Sequence, residues 1–164
     1  MGNKTSAEKW MLRARSNLWI AKMGKSHECI VYDDLGNNCL AAAEKALKAY
    51  FIFLNGPKDL PWMEDKNRKH GHDLPWLTDL LKNQNVVIPE DIKSAVNSFF
   101  ITGGWSYPWS YPVSFGFATK TKLTDYAVDR RYPGSYESLG KDGYRVALSR
   151  AEKIVSWVED SLKE

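Results

Sequence analysis

The run NCLAAAEKALKAYFIFLN, residues 38–55, constrains this chain more than any other. Ala, Leu, Glu and Lys dominate it, and all four are strong helix formers. Pro is absent, and Gly stands only at the borders, as Gly36 and Gly56. Cys39, Ala42/Ala43, Ala46, Ala49/Tyr50 and Phe53 recur at helical spacing, and the stripe extends back to Leu35 and Tyr32. Asn55-Gly56-Pro57 is a stop: a pair tolerant of left-handed backbone, then a residue that cannot continue a helix. Ala43, Ala46 and Ala49 are small enough to let another helix come within roughly 8 Å. The run therefore predicts a central helix around which others pack.

Four further helices are expected. The first spans about Thr5 to Lys25, opened by a capping-box pattern, Thr5-x-x-Glu8, with Ala7, Trp10/Met11, Ala14, Leu18 and Ala21 as its apolar stripe. The central helix should start near His27 or Glu28, with Gly36-Asn37-Asn38 as a bend or break. A loop with Pro57, Pro61 and the run KNRKHGH follows. The third helix starts at Asp73, a side chain suited to N-capping, with Pro75 in the first turn and Leu74, Leu77, Leu80 and Leu81 buried. Ile88-Pro89-Glu90-Asp91 opens the fourth, with acids at the positive end of the helix dipole. A short helical piece is expected at Leu123 to Asp129. The last helix runs from about Asp142 to Leu162, on a stripe from Tyr144 through Ala151 to Val158.

Before that last helix, the segment WSYPWSYPVSFGF alternates strictly. Trp105, Tyr107, Trp109 and Tyr111 lead the odd positions, and Ser, Pro and Gly fill the even ones. Period two excludes a helix, and Pro108 and Pro112 would deny a central strand its ladder. The segment reads as an extended aromatic insertion at about 102–121. It suits a lid over the bundle, an arm on another chain, or a platform for stacking nucleobases. Trp105, Tyr107, Trp109 and Tyr111 are its candidate interaction residues. The fold class expected is all-α: an up-and-down bundle of about five helices, one domain over 1–164, with that insertion.

Composition agrees. A chain of 164 residues with 43% hydrophobic and 26% charged residues can bury one core. A net charge of +3 permits an acidic partner without demanding one. No apolar run approaches the roughly 18 residues of a membrane span, and the polar N-terminus is unlike a signal peptide, so a cytoplasmic location and no membrane are expected. If Cys29 and Cys39 share one helix they stand roughly 15 Å apart, too far for a disulfide, and both read as buried thiols.

The order of these pieces resembles the HEPN family: Trp10 with Ala14 and Leu18, AAAEKALKAY at 41–50, His72-Asp73-Leu74, Arg131-Tyr132-Pro133, and Ala151 to Val158. The resemblance covers all but the aromatic insertion. It implies a helical bundle that forms a homodimer. For some members it implies a minimal nucleotidyltransferase as partner chain and a nucleotide as ligand. For others it implies metal-independent cleavage of RNA by Arg followed four to six residues later by His. Arg would steady the phosphorane while His moves a proton at the ribose hydroxyl.

That catalytic pair is missing here. The three histidines are His27, His70 and His72, and none follows Arg130 or Arg131. Tyr136 stands where the histidine is expected after Arg131, and a phenol with a pKa near 10 is a poor base at neutral pH. If the chain cuts RNA, Arg131 and Tyr136 are the candidates. His70-x-His72 with Asp73 lacks a third metal ligand, so neither a metal nor a cofactor is expected. With no glycine-rich phosphate loop, nucleotide binding would rest on discrete side chains: Lys45, Lys48, His72, Arg130 and Arg131. The competing reading makes Lys45 and Lys48 a solvated helix face and pairs Arg131 with Glu44 or Asp129.

Overall fold

The computed structural model describes residues 2–24, 26–64, 71–97 and 139–163. Among them are five α-helices: α1 (Gly2–Lys22), α2 (Tyr32–Asn55), α3 (Leu74–Lys82), α4 (Glu90–Asn97) and α5 (Lys141–Ser161), with a 3-10 turn at Pro61–Met63. No strand occurs among the described residues. No helix there is long and apolar enough to cross a membrane. The aromatic insertion, Leu123 to Asp129, and the Arg131-Tyr132-Pro133 stretch lie outside the described residues.

The alanine-rich run forms the centre. Ala42, Ala43, Ala46 and Ala49 are wholly buried, and α2 packs against α1, α3 and α5. Side-chain contacts set the directions. Asn17 donates to Asn38 at 2.7 Å, while Asn3 lies against Gly56, so α1 and α2 are antiparallel. Lys22 pairs with Glu152 at 2.9 Å and Arg15 pairs with Glu159, so α1 and α5 are antiparallel as well. Tyr32 stacks on Tyr144, and Tyr50 meets Trp157 edge-on, so α2 and α5 run parallel. The short α3 and α4 close the remaining side, α4 lying mainly on α5.

Several helix ends differ from the expected ones, each for a local reason. Helix α1 begins at Gly2, which places Thr5 and Glu8 inside the helix, so they form no capping box there. It ends at Lys22, before Gly24 at φ 64, and the Tyr144 hydroxyl donates to the Ala21 carbonyl at 2.6 Å. Helix α2 starts at Tyr32, later than expected. Residues 26–31 turn instead, with the Cys29 N–H donating to His27 Nδ1 at 3.2 Å. Cys29 is accordingly exposed, not a buried helical thiol; Cys39 is buried, and desolvation pushes its pKa up to about 12. Gly36-Asn37-Asn38 does not interrupt α2. A helical Gly costs about 1 kcal/mol, less than the packing around it returns. Asn38 stays helical, donating to the Asp34 carbonyl one turn back and accepting from Asn17.

The other signals act where they stand. Gly56, at φ 90, closes α2 with its N–H on the Ile52 carbonyl at 2.8 Å, and a Cβ there would lie 2.9 Å from Asn3 Oδ1. Asp73 caps α3, its Oδ1 accepting from the Trp76 N–H at 3.2 Å. Asp33, buried at the start of α2, accepts from the Leu139 N–H at 3.1 Å and so anchors the entry to α5.

The alanine spine makes a test of the architecture. Ala46→Leu adds three heavy atoms where no space is open and should cost about 1–3 kcal/mol. A urea-denaturation midpoint unchanged from wild type would contradict the close helix approach.

Candidate functional site

Glu44 and Lys48 are one helical turn apart on α2. Tertiary packing buries them. Lys48 is 4% exposed, and its Nζ donates to Glu44 Oε1 at 2.7 Å. Two indoles wall the ammonium in, with the Trp10 ring centroid at 5.8 Å and the Trp62 centroid at 5.3 Å. Trp62 is held edge-on by Phe51 and Trp10. The solvated-face reading therefore fails for Lys48.

The loop before α3 supplies the third member. A Cβ on Gly71 would come within 2.9 Å of Trp62 Cβ, so only glycine lets the backbone pass this close. The next residue, His72, brings Nδ1 to 2.9 Å from Glu44 Oε2. Each carboxylate oxygen thus has its own cationic or N–H partner. Burial works to raise the Glu44 pKa. The His72 hydrogen bond and the charges of Lys48 and His72 outweigh it and hold the carboxyl below its ordinary value. An ionised carboxylate can only accept, so the proton of this contact sits on His72 Nδ1. The His72 side chain remains 48% exposed. The result is an imidazole held in one orientation by a buried acid.

Lys45 belongs to a different face of α2. Its Nζ donates to Asn17 Oδ1 at 2.8 Å. Burial, then the charges of Lys48 and Arg13, lower its pKa against the opposing pull of Glu44. Of the five sequence candidates, then, the structure joins Lys48 and His72 through Glu44 and sets Lys45 apart. Arg130, Arg131 and Tyr136 lie outside the described residues, as do Trp105, Tyr107, Trp109 and Tyr111. Sequence reasoning gave Glu44 only as a competitor for Arg131 and did not weigh Trp62 at all. The available signal was an acid and a base one turn apart inside a run of alanines, where a solvated face has little room. Among the described residues no three His, Cys, Asp or Glu side chains converge as metal ligands.

Breaking the buried pair has a defined cost and pH dependence. Glu44→Gln leaves the Lys48 ammonium enclosed without a counter-charge and should destabilise by about 3 kcal/mol at neutral pH. The folded-state carboxyl pKa lies below the reference 4.5. Its stabilisation is therefore complete above that value and is lost as pH falls through the lower, folded-state one. Urea melts of wild type and variant should converge on acidification below pH 4.5; a constant gap would show that the carboxylate charge is not the cause.

Comparison with known proteins comes down to one finding. No curated protein and no solved structure matches the chain. A family model described as HEPN domain matches residues 7–161, from the first apolar position of α1 to the end of α5. The match takes in α2, His72 and every partner of the buried pair, and the chain belongs to the HEPN domain family.

Proposed function

We propose that this HEPN domain binds a nucleotide and serves as the non-catalytic companion of a minimal nucleotidyltransferase, with His72 facing the ligand. One observation carries the reading: His72 is fixed by a buried carboxylate yet half exposed. A protein that needed only packing would gain more from apolar residues than from an enclosed ion pair. Lys48 is then a positioning residue, since its ammonium is spent on Glu44 and the two indoles. Arg130 and Arg131 are the further phosphate contacts, since a guanidinium suits bidentate phosphate binding.

Calorimetric titration with ATP and GTP tests this. Saturable binding is expected, weakened about tenfold by His72→Ala, the loss of one charge-assisted hydrogen bond. No heat at millimolar nucleotide would overturn it. The same contact also supports a second reading, a metal-independent ribonuclease. A carboxylate that holds an imidazole by one nitrogen leaves the other for proton transfer. Labelled RNA incubated with the protein and a chelator separates the two: cleavage abolished by His72→Ala favours the ribonuclease, and intact RNA favours the binding module.

The reading includes pairing of two copies. What supports it is an apolar line along the outer side of α1, where Leu12, Trp19 and Met23 follow one another at helical spacing and Trp19 is 65% exposed. Ser16, a small residue, lies between Leu12 and Trp19, where two helices could cross. Light scattering should give a dimer mass for wild type and a monomer mass for Trp19→Glu. A dimer that survives the substitution places the contact elsewhere.

A further inference from the structure

Helix α5 turns one stripe of side chains outward from end to end, and the stripe takes no part in the Glu44–Lys48–His72 cluster. Its charges come in a particular order. Asp142 and Arg145 stand at the start, Asp160 and Lys163 at the finish, and all four are exposed. Glu152 and Lys153 are adjacent at the middle, with exposed Ser149 a turn before them and exposed Ser156 a turn after.

The order reverses sign about the midpoint between Glu152 and Lys153. Counting outward from there, Glu152 answers Lys153, Ser149 answers Ser156, Arg145 answers Asp160, and Asp142 answers Lys163. A solvated helix face is served by opposite charges one turn apart, and α5 has these: Asp142 with Arg145 at 3.5 Å and Asp160 with Lys163 at 2.7 Å. Nothing in solvation requires one end of the helix to mirror the other with the sign reversed. A second α5 laid antiparallel on the first meets that pattern residue for residue. Arg145 then faces Asp160 of the second copy, Asp142 faces its Lys163, and the two serine positions face each other.

The groove beside the stripe is what such a contact covers. Its lower part encloses about 530 Å³ between α4 and α5, with Pro89, Ile92 and the partly buried Trp157 as apolar lining and Ser156 and Asp160 also along it. Ser149 and Ser156 are small enough to let a second helix settle within roughly 8–10 Å. The groove as a whole carries three acids and three cations, so an ion of either sign gains little there, whereas a copy of the same surface brings both signs in matching order. With α4 and α5 from each copy, the contact is a four-helix packing.

We propose that the outer stripe of α5 is a self-docking surface, on which a second copy of this chain lies antiparallel about the Glu152–Lys153 midpoint and covers the α4–α5 groove. The contact is separate from the α1 pairing and from His72, and it depends on neither reading. Exposed ion pairs are individually weak and are screened by salt, so this contact forms at high protein concentration and low ionic strength. Together with the α1 contact it links dimers into larger assemblies.

Sedimentation equilibrium of the full-length protein carrying Trp19→Glu, which removes the α1 contact, is the test. The mass should rise from one copy toward two with concentration at about 0.05 M salt, and the rise should be lost at about 0.5 M. Arg145→Glu and Asp160→Arg should each weaken association about tenfold or more, because each sets like charges opposite one another at both ends of the contact. Both side chains are exposed, so the fold is left intact. Mixed one to one, the two variants should associate again. The new carboxylate of one meets the new guanidinium of the other, and the unchanged Asp160 and Arg145 meet at the opposite end. Recovery on mixing cannot come from misfolding. A mixture that associates no better than its components overturns the antiparallel contact, and so does a mass that ignores concentration at low salt or ignores both variants. If a dimer survives Trp19→Glu in dilute solution, the same comparison is read on the step above that dimer, so failure of the α1 reading leaves this test decisive.

Discussion

A charged pair enclosed at the centre of the bundle is the constraint on which the rest depends. Transferring an ammonium and a carboxylate from water costs several kcal/mol each, and their attraction recovers that only with good geometry and every remaining hydrogen-bonding position filled. The fold meets these demands from four directions. Helix α2 supplies Glu44 and Lys48 one turn apart, α1 supplies Trp10, the 3-10 turn supplies Trp62, and the loop into α3 supplies His72. Removing Glu44 or Lys48 leaves the other charge buried without its counter-charge. The pair therefore holds His72 at the end of the loop, next to Asp73, which caps α3.

The alanine spine makes this arrangement reachable. Side chains of one carbon let α1 and α5 approach α2 closely, and close approach brings the α1 indole over the Lys48 ammonium. The ends of the long helices are then tied by polar contacts that no packing rule supplies. The Tyr144 hydroxyl holds the last turn of α1, and Asp33 holds the backbone that enters α5. Both join residues more than a hundred positions apart, and together they set α5 parallel to α2 at that end of the molecule. Among the described residues, α4 covers part of α5.

Much of this was legible in the residues. The apolar stripes of α2, α3 and α5, the Gly56 stop and the Asp73 cap all act where pattern and stereochemistry place them, because each is decided within one or two turns of chain. The errors share one cause. Gly36-Asn37-Asn38 reads as a break because local propensity disfavours helix there, but Asn17 and the neighbouring helices hold it in. Thr5 reads as a cap because its local pattern fits, yet the helix extends back to place Asn3 beside Gly56. Cys29 reads as helical and buried, and a turn at His27 removes it from the helix. The candidate site was half legible. His72 and Lys48 were chosen for their chemistry, while the carboxylate that joins them was weighed for a different role.

The sequence by itself determined the class of fold, the central position of the 38–55 helix and membership of the HEPN family, because helical periodicity and the order of motifs are properties of short stretches. Tertiary structure alone decided that Lys48 is enclosed and not solvated, that Glu44 orients His72, and that Lys45 serves another face. The physical reason is distance along the chain. Whether a charge lies in water or beneath two indoles depends on Trp62, His72 and Trp10, 14 to 38 positions from Lys48 in three separate segments, and no local pattern carries that information.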